Sequence, residues 1–430
     1  MIKVLILGAS GFMGSRIYKN LSSMHEVYGT YFSQNIRYEN DKSMFKLDIS
    51  MPQDFRTLLD KVKPQIIISS LRGNFDSQLL IHKIAARYLE TVTNGKIIFL
   101  SSVNVYDNLC SSPHYEDDVT KSKSEYGKFK IRCEEILSKK LKDKAAIIRV
   151  PLIWGKKSPR LTNIINEIMH QDSLSVWTNL YTNHTTDKQI VNYINMIIEK
   201  NMSGIYHVGS SDVIEYKKFI IKLISKLGVK APKLIEDNFS EKCYMAVLSK
   251  RKDISNCLNI TNEEIIDDMT KNILISGDRI MELISTDGKD KRFIELCSKL
   301  DEYLNDSVGG EKQSKEYNKF NTLDDIHDVI LVLDDDNPVA CGSFKEYEKG
   351  CAELKRVFVK EEVRNKGLGR KVVCKLEKYA KSQGYSKMIL ETGKALISAQ
   401  KLYSSLGYKI IENYGQYKNM SGSICMEKIL

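Results

Sequence analysis

The 430-residue chain has no C-x-x-C pair, no H-E-x-x-H and no run of about 18 apolar residues. Its nine cysteines, Cys110, Cys133, Cys243, Cys257, Cys297, Cys341, Cys351, Cys374 and Cys425, stand singly. That spacing excludes a zinc knuckle or dithiol redox motif and reads as reduced, mostly buried thiols of a cytosolic protein. The seven histidines are scattered without clustered carboxylates, which argues against a metal site. Without a long apolar run no spanning helix is expected, and Val4-Leu5-Ile6-Leu7 is too short for a signal peptide core. The tyrosines do not interleave with a basic stripe, and the densest lysine cluster, Ser138-Lys139-Lys140-Leu141-Lys142, reads as a solvated helix end. Nucleic acid is therefore not an expected partner. Repeats and low-complexity tracts are also lacking. What is present, 42% hydrophobic and 28% charged residues, excludes wholesale disorder. A net charge of +10 over this length is mild and favours anionic small molecules such as nucleotides. These observations describe a cytoplasmic protein of two or three domains.

The first half alternates strands (residues 2–7, 27–32, 65–69, 96–100, 145–150) with amphipathic helices (11–21, 55–62, 78–91, 126–141). Such alternation predicts a doubly wound parallel sheet. The pattern then loosens, with a strand at 204–208 and a helix at 215–227. A polar seam over 267–277 separates an expected domain 1–272 from a second α/β domain, 280–430. There, strands at 280–285, 328–334, 338–346, 352–360 and 387–392 alternate with helices at 293–304, 368–383 and 396–405. The run of consecutive strands predicts a mixed, largely antiparallel sheet.

Two constellations carry chemistry. The first begins at Gly8-Ala9-Ser10-Gly11-Phe12-Met13-Gly14, between the first strand and the first helix. A glycine turn feeding a helix N-terminus presents free N–H groups and a positive dipole to a pyrophosphate. Downstream come Ser101-Ser102-Val103-Asn104-Val105-Tyr106, directly after a strand, and Tyr126-Gly127-Lys128-Phe129-Lys130 at a helix start. Tyr126 and Lys130 are four apart and share one helical face. A lysine cation beside a phenol favours the phenolate, and a nearby serine hydroxyl holds a substrate carbonyl, a set suited to hydride transfer with proton exchange.

Together and in this order, these residues resemble the extended short-chain dehydrogenase/reductases, in particular the dTDP-4-dehydrorhamnose reductase-like branch of nucleotide-sugar enzymes, over about the first 270 residues. The resemblance implies Tyr126 as acid/base, Lys130 as holder of the cofactor ribose and Ser102 as carbonyl holder. Asp48 and Ile49 match the adenine-contacting pair. Arg149-Val150-Pro151 through Trp154-Gly155 match the segment leading to the substrate. The second strand ends in Gly29-Thr30-Tyr31-Phe32-Ser33 without an acid, and Arg37 follows, which predicts NADPH over NADH, with Ser33 and Arg37 at the 2′-phosphate. One departure stands out. The family's Asn-Ala-Ala after the fourth strand is replaced by Ser69-Ser70-Leu71-Arg72-Gly73, where Arg72 is either a new anion contact or a surface arginine.

The second constellation is Glu353-Leu354-Lys355-Arg356-Val357-Phe358-Val359-Lys360, then Arg364-Asn365-Lys366-Gly367-Leu368-Gly369-Arg370 and a helix. It is another strand, glycine loop and helix, an anion cradle with added positive charge. R-x-x-G-x-G, with Ala399-Gln400-Lys401-Leu402-Tyr403-Ser404-Ser405-Leu406-Gly407-Tyr408 further on, resembles the GNAT N-acetyltransferases over residues 280–430. The resemblance implies that Arg364, Lys366, Gly367, Leu368, Gly369 and Arg370 bind the coenzyme A pyrophosphate. It also implies that Val357 to Val359 pair with the pantetheine arm and that Tyr403 protonates the departing thiolate. Glu353 is the first candidate base and Glu391 the second. The family's asparagine seven residues before the tyrosine is Leu396 here. The segment Asn413-Tyr414-Gly415-Gln416-Tyr417 either lines the acceptor pocket or is an ordinary turn.

The fold class expected is α/β: a Rossmann-type doubly wound parallel sheet followed by a separate GNAT α/β domain. The function implied is NADP-dependent reduction of a nucleotide-linked keto-sugar plus acetyl transfer from acetyl-CoA to a primary amine, both serving amino-sugar synthesis for a surface glycan. Two alternatives stay open: a front half that senses NAD(P) without catalysis, and an epimerase or dehydratase with tightly held NAD. The expected partners are small molecules, with no nucleic acid and no membrane, and a homo-oligomer is left open.

Overall fold

The computed structural model describes residues 1–33, 41–171, 173–276, 279–308 and 322–430. The chain divides into two compact units, Met1–Lys271 and Asn272–Leu430. The first unit opens with β1 (Lys3–Leu7), α1 (Phe12–Leu21), β2 (Glu26–Tyr31), β3 (Met44–Lys46), α2 (Pro52–Val62), β4 (Ile66–Ser69), α3 (Phe75–Thr91), β5 (Lys96–Ser102), α4 (Glu125–Leu141) and β6 (Ala145–Val150). Beyond it come β7 (Leu152–Trp154), α5 (Pro159–Gln171), β8 (Ser173–Trp177), β9 (Leu180–Thr182), β10 (His184–Thr186), α6 (Asp187–Glu199) and β11 (Gly204–His207). The unit closes with β12 (Ile214–Glu215), α7 (Tyr216–Leu227), β13 (Lys233–Asp237), β14 (Cys243–Met245) and α8 (Asn262–Thr270).

Seven of these strands form one sheet in the order β11-β6-β5-β4-β1-β2-β3, every pairing parallel. The apolar strands are buried on both faces, as parallel sheets require. Val4 and Ile6 pack with Ile17 of α1 and Ile190, Ile194 and Ile197 of α6. Leu5 and Leu7 pack on the opposite face with Phe55 of α2, Ile81 of α3 and Phe129 and Leu137 of α4. Chain order reverses at β1, which lies between β2 and β4. Ligands of such sheets bind beyond the carboxyl ends of the strands at this switch point. The remaining short strands build three small sheets, β10-β7, β12-β9-β14 and β13-β8. Residues 151–203 show no clear period-2 alternation because these strands are only three to five residues long.

The second unit comprises β15 (Ile273–Ser276), β16 (Arg279–Thr286), α9 (Lys291–Val308), β17 (Asp328–Asp334), β18 (Asn337–Glu348), β19 (Cys351–Val359), α10 (Leu368–Ser382), β20 (Lys387–Gly393), α11 (Ile397–Ser405), β21 (Lys409–Ile411) and β22 (Ser423–Ile429). Its eight strands run β15-β16-β17-β18-β19-β20-β22-β21. All pairings are antiparallel except β19 with β20. Val329, Leu331 and Leu333 pack under Phe293 and Leu296 of α9. Ile330 and Val332 pack on the other face with Leu368, Val372 and Leu376 of α10.

The boundary between the two units, at Lys271/Asn272, falls inside the polar seam expected over 267–277. α8 occupies it to Thr270, and β15 pairs with β16 there, so the second sheet begins one strand earlier than residue 280. A capping box between Thr261 and Glu264 explains why α8 starts in so polar a stretch. The nine cysteines stand as free thiols. No helix among the described residues is long and apolar enough to cross a membrane.

Candidate functional site

In the first unit, the glycine turn lies at the carboxyl end of β1. A Cβ on Gly14 would sit 2.0 Å from the Gly8 carbonyl oxygen, so only glycine lets α1 approach the turn. No side chain caps α1 at Gly11, which leaves its first-turn N–H groups free for an anion. Thr30 Oγ1 accepts from Gly8 N at 2.9 Å and fixes the turn from β2, a contact no motif announces. The Met13 side chain lies in the core, so only its backbone faces the turn. Ser33 is exposed just past β2, and Arg37 lies outside the described residues. Asp48 accepts from Ser50 N at 2.9 Å and Ser50 Oγ at 2.7 Å in a local turn after β3. Ile49 borders the loop after β4, with Cδ1 3.5 Å from a Cβ position on Gly73. We expect Gly14→Ala to lower dinucleotide affinity at least about tenfold, because a sub-contact Cβ must push α1 off its pyrophosphate geometry. Titration of NADPH fluorescence checks this.

Ser102 ends β5, and Tyr126 and Lys130 project from the first turns of α4. The helix start is set by a contact network. Ser124 caps α4 by accepting from Gly127 N at 3.1 Å. Asp107 accepts from Ser122 Oγ at 2.7 Å, from Lys123 N at 2.6 Å and from Ser124 Oγ. A Cβ on Gly127 would lie 2.2 Å from Asn104 O, so glycine lets α4 close on the turn after Ser102. Asp107 and Gly127 are thus positioning residues the motif reading missed. Beneath them, Glu134 takes a forked contact from Arg149, at 2.7 Å from its terminal nitrogen, with both groups buried. Ser101 donates to Glu134, and Arg149 to Tyr106.

Ser102 donates to Asn104 Oδ1 at 2.9 Å, and its hydroxyl acts on the proton affinity of the Tyr126 phenol. Tyr126 is 40% exposed, with Phe75 at 6.1 Å between ring centroids. Lys130 Nζ is buried, donates to Leu100 O at 2.8 Å and lies 5.6 Å from the Tyr126 ring centroid. Burial pulls the Lys130 pKa down to about 8. The phenol differs from expectation. Desolvation raises the Tyr126 pKa, against the Ser102 hydrogen bond and the positive charge of Arg72. Arg72 is the cation whose charge lowers the phenol's pKa, while the Lys130 ammonium, held 5.6 Å from the Tyr126 ring centroid, donates to a carbonyl.

In the second unit, β19 pairs with β20 from Cys351↔Lys387 to Leu354↔Leu390 and then parts from it. Val357 and Val359 lie beyond that point, beside the opening. A bulge against β18 and the left-handed Arg356, φ 55°, redirect the strand here. Asp301 holds the Arg356 guanidinium in a forked pair at 2.6 and 2.8 Å. The loop ends at Gly367, φ 73°, and no side chain caps α10. Leu368 is buried in the core. Gly369 keeps α10 near Val359 and Leu402. Two of the three expected loop cations already have protein partners. Arg364 Nε donates to Val359 O at 3.0 Å, and Arg370 donates to Ser405 Oγ at 2.6 Å. They shape the cradle, while Lys366 is exposed on it.

Glu353 is 1% exposed; Tyr414 donates to it at 3.0 Å and Lys355 Nζ lies 3.7 Å away. Lys355 donates to Tyr417 at 3.0 Å. Burial pulls the Lys355 pKa down, opposed by Glu353 and Glu391. Glu391 follows Ile389, the register partner of Glu353, by two residues, so both carboxylates share one sheet face. Burial raises the Glu391 pKa, opposed by a hydrogen bond from Ser423 and by Lys355. Its Oε1 is buried without a hydrogen-bond partner. Tyr403 is buried, and desolvation and the Glu391 charge raise its pKa, which keeps the phenol protonated. Tyr347 meets Tyr414 edge-on at 5.0 Å and Tyr414 meets Tyr417 at 5.6 Å, so the segment 413–417 is part of this aromatic wall. Among the described residues no group of three or more His, Cys, Asp or Glu is placed to hold a metal ion.

The fold and the two clusters define a two-domain α/β enzyme, with a reductase-like domain followed by an acyl-transfer domain. The GNAT acetyltransferase family matches residues 296–408, and the RmlD substrate binding domain matches residues 78–244. An IAA acetyltransferase of Azospirillum brasilense is 31% identical over 140 residues, covering 32% of this chain and 90% of that protein. The spore coat polysaccharide biosynthesis protein SpsK of Bacillus subtilis (strain 168) is 24% identical over 242 residues, covering 53% of this chain and 81% of that protein. A crystal structure of dTDP-4-dehydrorhamnose reductase from Yersinia enterocolitica shares the N-terminal fold, with a TM-score of 0.51 at 17% identity, over 63% of this chain and 100% of that one. Through its C-terminal part the chain belongs to the GNAT acetyltransferase family, and its N-terminal part is similar to the RmlD substrate binding domain over residues 78–244.

Proposed function

We propose that the first unit reduces the carbonyl of a nucleotide-linked keto-sugar with NADPH, and that the second transfers acetyl from acetyl-CoA to a primary amine. The observation that carries the first half is the Ser102, Tyr126, Lys130 set beside an uncapped glycine turn at the sheet's switch point. The residues of the turn fit a dinucleotide pyrophosphate, because the Gly14 contact leaves the backbone bare there. When bound, the reduced nicotinamide supplies the hydride. Ser102 Oγ orients the substrate carbonyl oxygen, and Tyr126 gives that oxygen its proton, leaving an alcohol. A raised pKa suits Tyr126 to this donation.

In the second unit, Glu391 takes the proton of the attacking amine, and Tyr403 protonates the coenzyme A sulfur as it leaves. Glu391 serves this role better than Glu353, because its raised pKa and unpartnered oxygen make it a competent base. Glu353 is spent on Lys355 and Tyr414 and fixes the acceptor wall. The relationship to SpsK, whose name assigns it to spore coat polysaccharide synthesis, favours one shared product, an amino-sugar for a surface glycan.

The test is twofold. NADPH consumption with a dTDP- or UDP-linked 4-keto-6-deoxy sugar is expected to proceed, followed by absorbance. Release of coenzyme A thiol is expected with amino-sugar nucleotides. Acetylation of free amino acids or peptides alone would overturn the shared-product reading and leave the acetyltransferase standing.

A further inference from the structure

Arg72 stands on a loop pinned on both sides. On one side, Ser70 N and Oγ donate to Leu7 O at 3.0 and 3.1 Å, and a Cβ on Gly8 would touch Ser70 O at 3.0 Å. Just before it, Ser69 Oγ shares a 2.8 Å hydrogen bond with His82 Nε2. Burial holds that imidazole neutral, with a pKa near 3, so the contact is not lost on titration above that range. On the other side, Gln78 Nε2 donates to Gly73 O at 2.8 Å, and Asn74 caps α3 by accepting from Ser77 N at 3.0 Å. Phe75, three residues on, stacks on Phe129 at 4.8 Å and faces Tyr126. The loop is therefore rigid and runs between the glycine turn and the reacting phenol. At its middle, Arg72 is exposed and makes no hydrogen bond or ion pair among the described residues. Its charge nevertheless falls on Tyr126.

A guanidinium held on a pinned loop that leads to the proton donor, with no carboxylate of its own, is a prepared anion site. The two anions within reach of such a position are a cofactor phosphate at the glycine turn and a group on the substrate beside its carbonyl. Because the loop that carries Arg72 leads within three residues to Phe75, whose ring faces Tyr126 at 6.1 Å, we infer that Arg72 binds an anionic group, a carboxylate or phosphate, carried by the substrate next to the carbonyl that is reduced. An acidic keto-sugar is then expected to be used in preference to a neutral deoxy one. This rests on the reductase reading for the identity of the substrate, not for the existence of the anion site.

The experiment uses the full chain loaded with NADPH, as wild type, Arg72→Ala and Arg72→Lys. Malonate and inorganic phosphate are titrated, with nicotinamide fluorescence as the readout. Saturable binding is expected in wild type, about tenfold or more weaker in Arg72→Ala and partly restored in Arg72→Lys. No saturable effect in wild type, or equal binding in Arg72→Ala, overturns the site. NADPH affinity is measured alongside, and a loss of about tenfold in Arg72→Ala assigns the arginine to the cofactor and overturns the substrate assignment. The same proteins are then titrated with UDP-glucuronate and UDP-glucose. Wild type is expected to prefer the uronate by about tenfold, and Arg72→Ala to show a ratio near one. A preference that survives in Arg72→Ala overturns the inference. If the small anions bind through Arg72 and neither nucleotide sugar binds at all, the anion site stands and the nucleotide-sugar reading falls.

Discussion

Tyr126→Phe is expected to lower NADPH-dependent turnover by roughly 10²–10⁴-fold, the range lost with a positioned acid/base group. The ring stays, so its 6.1 Å contact with Phe75 and the α4 packing survive, and only the proton donor is removed. NADPH affinity is expected to change by less than about twofold, since the glycine turn and the uncapped start of α1 are untouched. The pH dependence has a definite sign. The phenol pKa is raised in the folded protein, so the donor form persists through neutral pH. Reduction falls only as pH rises past that raised value, while the reverse oxidation, which needs the phenolate, gains over the same interval. Steady-state absorbance assays across pH, with NADPH fluorescence titrations on both proteins, check this. Unchanged turnover in Tyr126→Phe would remove Tyr126 from the chemistry, and no turnover in wild type with NADPH still bound would make the first unit a cofactor sensor. Purified protein carrying stoichiometric NAD would instead point to an epimerase or dehydratase.

The second large effect concerns acetyl transfer. Glu391→Gln is expected to reduce kcat/KM for the amine by roughly 10²–10⁴-fold. Glu391 acts as a base only when ionised, and its pKa is raised above the ordinary 4.5. Activity therefore climbs with pH through that raised value, and the acid limb disappears in Glu391→Gln together with most of the rate. Glu353→Gln is expected to behave differently. It removes the partner of Lys355 and Tyr414, so it should raise KM for the amine and leave the acid limb in place. An acid limb lost in Glu353→Gln and kept in Glu391→Gln would exchange the two roles. Thiol release from acetyl-CoA, followed against pH for the three proteins, decides it.

Local signals carried most of the architecture. In the first half the central strands announce themselves as short apolar runs, because they are buried on both faces, and the helices by period, because each buries one. Tyr126 and Lys130 are legible because a four-residue spacing on a helix fixes a common face wherever the helix packs. The loop from Arg364 to Arg370 is legible for a similar reason, since two glycines before an apolar helical stripe mark a helix entry. The boundary at 267–277 holds the end of a nine-residue acidic helix and a four-residue apolar strand, both too short to show a period of their own.

Charge and proton affinity were not legible, because both depend on partners far away in sequence. Lys130 donates to Leu100, thirty positions earlier, and the charge of Arg72, from a loop far back in the chain, lowers the phenol's pKa. Glu353 meets Tyr414, sixty-one positions later, while Glu391 keeps a bare oxygen that no spacing rule forecasts. Arg364 and Arg370 read as ligands for a pyrophosphate, yet both are engaged with the protein's own oxygen atoms. Residue order thus settles which side chains lie on each turn, strand and helix face, since those follow from short-range geometry. Which of them is buried, paired or left free to do chemistry is settled by tertiary packing, because desolvation and Coulomb attraction act through space rather than along the chain.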